Sequence, residues 1–173
     1  MSDSLLDRMD WNTAEGQITD QDRRYVMIRN DVLMGIFGQL EPSLAAQALK
    51  AFERSVNLSG GQSAKAYFES LDNDASRLLD TMVAFSAQLG WGLWSFTRQA
   101  NELQLAVRNS PFAAGYPKPA PWPVCHPIVG MLRTVGELVL GCPVNVTETQ
   151  CCACHATAQD CQFTIAPVAE PHA

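Results

Sequence analysis

The residues able to do chemistry crowd into one stretch of the chain. No cysteine precedes position 125, and then all six, Cys125, Cys142, Cys151, Cys152, Cys154 and Cys161, lie between positions 125 and 161. The chain starts MSDSLLDRMDWN, acidic and without the apolar core of an export leader. A metal is therefore a better use for these thiols than disulfides. The strand-like run VNVTETQ puts Glu148 on the face of Val144 and Val146, the side expected to be buried, where a carboxylate requires a partner. Cys151 comes three residues later and Cys161 opens the returning strand. Cys125 stands just ahead of a helix, where backbone amides and the helix dipole favour a thiolate. Together Cys125, Glu148, Cys151 and Cys161 would close a four-coordinate structural zinc site, one ion per chain. The turn also offers Cys152, Cys154 and His155 as alternatives to Cys151. An iron–sulfur cluster on Cys125, Cys151, Cys154 and Cys161 is chemically possible, but a carboxylate beside thiolates suits zinc better. The plain alternative is a group of inert thiols.

Aromatic side chains form a second concentration, between Trp91 and Trp122. Trp91, Trp94, Phe96, Tyr116 and Trp122 offer flat apolar faces of the kind that line small-molecule pockets, and are candidates to contact a planar ligand. Ordinary core packing is the competing use.

Several elements must position these residues. Asn30-Asp31 divides the apolar run Tyr25 to Leu40 into a short strand-like piece and a helix start. A helix after Glu41-Pro42-Ser43 carries Leu44, Ala48, Phe52 and Val56 at helical spacing, and Ser59-Gly60-Gly61 should stop it ahead of a second short helix from Ser63 to Glu69. Asp74 caps a third helix, with Leu78, Met82, Phe85 and Leu89 in one stripe, closed by Gly90. From Trp91 the period becomes two, which predicts a hairpin turning between Gln99 and Glu102. Five prolines between Ser110 and Val124 predict a loop. Pro127 to Leu140 reads as a helix ended by Gly141 and Pro143, and two strands then bracket the cysteine-rich turn.

The block from Cys125 to Phe163 resembles the zinc-binding half of 4-vinyl reductase domains. It has a cysteine opening a helix, a strand ending in Glu-x-x-Cys at Glu148 and Cys151, and a final Cys-x-Phe at Cys161. The spacing from Cys125 to Glu148 is similar to that in members that sense aromatic compounds in activators of phenol and toluene catabolism, while the stretch from Cys151 to Cys161 is longer than theirs. The resemblance implies an α/β fold of α+β type, helices packed on a small antiparallel sheet with a zinc-stapled C-terminal strand pair. It also implies a homodimer, and a bound phenol-like aromatic or, as in members tied to bacteriochlorophyll synthesis, a tetrapyrrole.

Length and composition bound the rest. A chain of 173 residues, 47% of them apolar, suits a single domain, read as residues 23–167 between an acidic flexible tail, 1–22, and a C-terminal tail, 168–173. A net charge of −6 without any basic run argues against nucleic acid. No uninterrupted apolar stretch approaches the length needed to span a membrane, so a cytoplasmic protein is expected. No phosphate-binding loop, nucleophile elbow or dinucleotide motif is visible, and a closed zinc site leaves no position for substrate. The expectation is thus a non-catalytic binder of an apolar ligand. The alternative is a zinc-binding accessory subunit of a larger flavin or iron–sulfur oxidoreductase.

Overall fold

The structure is a computed structural model that describes residues 4–169. It is an α+β domain in which helices pack on one side of a four-stranded antiparallel sheet, with a small three-stranded sheet near the N-terminus. The expected tail instead carries structure: residues 4–22 contain helix α1 (Leu5–Arg8) and strands β1 (Asp10–Asn12) and β2 (Gln17–Asp20), and β3 (Arg23–Tyr25) completes the small sheet. Leu5 is fully buried and its amide donates to Gln88 Oε1 at 2.7 Å. Arg8 reaches both Asp20 Oδ2, at 3.2 Å, and the Tyr67 hydroxyl, at 3.1 Å. Of the C-terminal tail, only residues 168 and 169 fall among those described.

Helix α2 (Asn30–Gly38) begins at the predicted Asn30, and α3 (Pro42–Ser55) has proline in its first turn. The expected stop at Gly60-Gly61 is absent: a π-helical turn (Val56–Gly60) carries the chain directly into α4 (Gly61–Ser70). These glycines serve close approach instead, since a Cβ on Gly60 would lie 2.8 Å from Met131 Cε and one on Gly61 would collide with Thr134 Oγ1. Helix α5 (Ala75–Gln88) is capped as predicted, the Asp74 carboxylate accepting from the amides of Ser76 and Arg77.

The main sheet is formed by β4 (Leu93–Gln99), β5 (Glu102–Arg108), β6 (Val144–Gln150) and β7 (Asp160–Pro167), in the order β4-β5-β7-β6. Leu103, Leu105 and Val107 of β5 and Cys161, Phe163 and Ile165 of β7 all point inward. The proline-rich stretch contains a short helix, α6 (Pro111–Gly115), started by the Ser110 hydroxyl. Helix α7 (His126–Leu140) ends at Gly141 in the left-handed conformation, as its sequence implied. It is the spine of the fold, packed against β6 and β7 on one side and α3, α4 and α5 on the other. A Cβ on Gly136 would meet Ile165 Cγ2 at 2.5 Å, so glycine is needed where the helix crosses the sheet.

Candidate metal centre and ligand cavity

Three segments distant in sequence supply the cysteine cluster. Cys125 is the N-cap residue of α7, Glu148 and Cys151 lie at the end of β6, and Cys161 lies at the start of β7. In a regular strand, residues three apart face opposite sides. Here the pairing of β6 with β7 shifts register between Glu148 and Gln150, leaving Thr149 as an extra residue, a bulge that brings Cys151 round to the side of Glu148. The sequence pattern Glu-x-x-Cys thus needs this irregularity to work.

One ligand atom from each of Cys125, Glu148, Cys151 and Cys161 lies within 4.8 Å of all the others, and the three thiols are buried. Cys125 Sγ donates to Cys161 Sγ at 3.7 Å, and the Cys152 amide donates to Cys161 Sγ at 3.3 Å. Glu148 Oε2 accepts from the Cys125 amide at 2.9 Å, whereas Glu148 Oε1 is buried with no hydrogen-bond partner. An orphaned carboxylate oxygen among three thiols is what a divalent cation would satisfy, and the donor set suits a soft or borderline ion. The groups also compete for protons. Burial, then the charge of Cys151, pushes Glu148 up to about 9. Burial likewise raises Cys125, with Cys151 and Cys161 adding to it. Cys151 is driven far down by hydrogen bonds from Cys125 and Cys161. Cys161, although it receives the Cys125 hydrogen bond, is raised by Cys151 and by burial. A bound cation would displace the protons that the cluster otherwise shares.

Cys152, Cys154 and His155, the alternative donors, lie outside this set of four. Cys154 is half-buried, its thiol pushed up to about 11 by burial and the neighbouring Cys151, and His155 is exposed. The turn is closed by the Cys154 and His155 amides donating to the Cys151 carbonyl, and the Ala120 amide donates to Ala153 O at 2.9 Å, tying the proline-rich loop to it.

Next to the cluster lies a buried network that sequence reading missed. Glu53, 4% exposed, accepts from His126 Nδ1 at 2.7 Å, Lys50 Nζ at 2.9 Å and Arg133 Nη2 at 3.1 Å. Its position gave a signal, because it follows Ala45 and Leu49 at four-residue intervals on the inner face of α3.

A cavity of about 690 Å³ opens between the N-terminal segment, α2 to α5 and the start of β4. Trp91 and Trp94 belong to its wall, together with Phe112, whose ring meets Trp91 edge-on with centroids 5.1 Å apart. Phe96, Tyr116 and Trp122 do not. Phe96 lies against Trp94 at 6.0 Å, and the other two sit in the loop leading to Cys125. The contribution of residues 5–28 to this wall was hidden, because three-residue strands leave no periodicity to read.

A two-layer domain with three cysteines and a glutamate gathered at the end of a central helix is the arrangement of the 4-vinyl reductase domain. That family's model matches residues 103–167, from β5 to the end of β7, and so includes the whole cluster. The resemblance read from the cysteine block is thereby borne out over this segment. Among solved structures, the phenol-responsive sensory domain of the transcription activator PoxR, determined with phenol, is similar over 94% of this chain and 86% of its own, with a TM-score of 0.73 at 17% identity. A vinyl-4-reductase family protein from Methanocaldococcus jannaschii is similar over 81% of this chain and 91% of its own (TM-score 0.51, 14% identity). Subunit 3 of a trafficking protein particle complex from Naegleria fowleri, covalently bound to palmitic acid, is similar over 79% and 93% (TM-score 0.55, 12% identity). These likenesses establish the fold. No curated protein sequence matches the chain significantly. Among the described residues, no helix is long and apolar enough to cross a membrane.

Proposed function

We propose that this chain is a non-catalytic binding domain that holds a planar apolar molecule, aromatic or tetrapyrrole, in the cavity walled by Trp91 and Trp94, and that zinc on Cys125, Glu148, Cys151 and Cys161 staples its C-terminal strands. The cavity is the observation that carries the reading: its volume lies within the roughly 300–1,000 Å³ usual for small-molecule sites, and aromatic side chains form part of its wall. The phenol bound by the PoxR sensory domain supports an aromatic occupant. Zinc, when bound, would supply structural cross-linking, and the four donors leave no position for substrate. The free thiols suit a reducing, cytoplasmic setting.

A second reading, an accessory subunit of a redox enzyme, draws on an exposed apolar strip at Val26, Met27, Ile28, Val32 and Ile36. The same strip supports a homodimer. Native mass spectrometry tests the main reading, with one zinc and a bound organic molecule per chain expected, alongside saturable quenching of tryptophan fluorescence by phenol or a porphyrin. Purified protein without metal, and without quenching by either ligand while a partner enzyme shields the tryptophans, would replace it with the second.

A further inference from the structure

Resting on the reading of this cavity as a ligand site, we propose that its occupant is an uncharged apolar molecule several times bulkier than one aromatic ring, held without a covalent bond by a deformable, methionine-rich wall. Size is the first argument. A cavity of roughly 150 Å³ already accommodates benzene, and this one measures about 690 Å³. A single-ring ligand would leave most of it unfilled.

Charge is the second. Among the described residues, no Asp, Glu, Lys, Arg or His belongs to the wall. A carboxylate or ammonium carried inside would lose its hydration without gaining a counter-ion. The arginine beside Tyr67 in the wall, Arg8, is already engaged by Asp20 and the Tyr67 hydroxyl. Asn30 and Ser63 leave room for a ligand hydroxyl or carbonyl, which need no charge. Among the described residues, no cysteine belongs to the wall either, so a thioester or other thiol adduct has no attachment point there.

The distribution of methionine is the third. Met9, Met27, Met34, Met82 and Met131 all belong to the wall, and the sixth methionine is the initiator, Met1. Methionine is unbranched and polarizable, adapts to irregular outlines and packs well on aromatic rings. Its gathering on one surface, instead of dispersal through the core, suits a ligand whose outline varies.

The test titrates the full chain at pH 8 with pyrene, 1-pyrenecarboxylate and phenol, following tryptophan quenching and energy transfer to the pyrene ring. Pyrene should bind saturably, one per chain, at least tenfold tighter than either of the others. Ser63→Trp, which fills the cavity from a half-buried position, should weaken pyrene binding at least tenfold with an unchanged circular dichroism spectrum. Equal affinity for pyrene and its carboxylate, or tighter binding of phenol, would overturn this inference and leave the cavity a ligand site. Binding of none of the three would overturn both. Pyrene binding untouched by Ser63→Trp in a folded protein would also overturn it. Met82→Ile with Met131→Ile, which stiffens the wall, should weaken pyrene at least fivefold while the melting temperature holds; an unchanged affinity removes the deformable wall from the proposal.

Discussion

Replacing glycine by alanine should have opposite effects in two helices of this protein. At Gly130 in α7, an added methyl would collide with the backbone carbonyl oxygen of Glu53 and lie 3.0 Å from its carbonyl carbon and 3.2 Å from the Asn57 amide. These are backbone atoms, so no side chain can swing aside. The two helices are also clamped together by Asn57 Nδ2, which donates to Gly130 O at 3.2 Å and Thr134 Oγ1 at 3.0 Å. Overpacking of this kind costs about 3 kcal/mol at the upper end of its usual range, and alanine's better helix propensity returns about 1 kcal/mol. The net loss of about 2 kcal/mol corresponds to a melting temperature lower by roughly 4–8 °C for a chain of this size. Gly35 in α2 has nothing within 4 Å of its hypothetical Cβ. There only the propensity acts, and Gly35→Ala should raise the melting temperature by roughly 2–3 °C. Thermal unfolding followed by circular dichroism, on metal-loaded protein, measures both. If Gly130→Ala stabilises as Gly35→Ala does, the close α3–α7 seam is wrong.

Cys151→Ser should abolish the one-per-chain zinc measured by elemental analysis, while Cys152→Ser and Cys154→Ser retain it; loss of zinc from Cys154→Ser alone would move the ligand along the turn. Chelation should lower the melting temperature of the parent protein and leave Cys161→Ala unaffected, because metal binding energy is also folding energy. Glu53 is pressed upward by burial, but Lys50 and His126 outweigh this and hold it below its ordinary value of 4.5. Its ionised form therefore stabilises the fold at neutral pH and ceases to as the pH falls through the depressed folded value. Glu53→Gln should cost about 1–3 kcal/mol at pH 7, with the gap to the parent narrowing below pH 4.5 in denaturant titrations. A gap independent of pH would contradict the charged network. Asp74→Ala, which removes the α5 cap, should cost about 1 kcal/mol in the same assay.

Elements with strong local signals were legible in the sequence. Asp74 marks the start of α5, alternation from Leu103 to Val107 marks β5, and Gly141 ends α7, each through a preference that acts within a few residues. Glu148 and Cys161 could be placed by strand alternation alone, but Cys151 could not, because its side is set by a bulge that depends on the partner strand. Gly60 and Gly61 misled for a similar reason: their lack of side chains answers to Met131 and Thr134, far along the chain. Prolines masked α6, although Ser110 and Pro111 form a cap and first turn. In the N-terminal strands, Trp11 and Arg24 are exposed and alternation is weak, so composition spoke for a tail. Burial of Leu5 against Gln88 depends on α5 and is invisible locally.

The family match covers residues 103–167, yet of the cavity wall only Pro111, Phe112 and Met131 fall inside that span. All four metal-cluster residues do. Stapling and recognition are therefore encoded in different parts of one chain, joined through α7, which carries Cys125 at its cap and Met131 further along. Substitutions before residue 103 can reshape the cavity without touching a thiol. A lineage built on this plan can change what it binds while inheriting its staple intact, and two such proteins can share a recognisable C-terminal signature yet have no ligand in common.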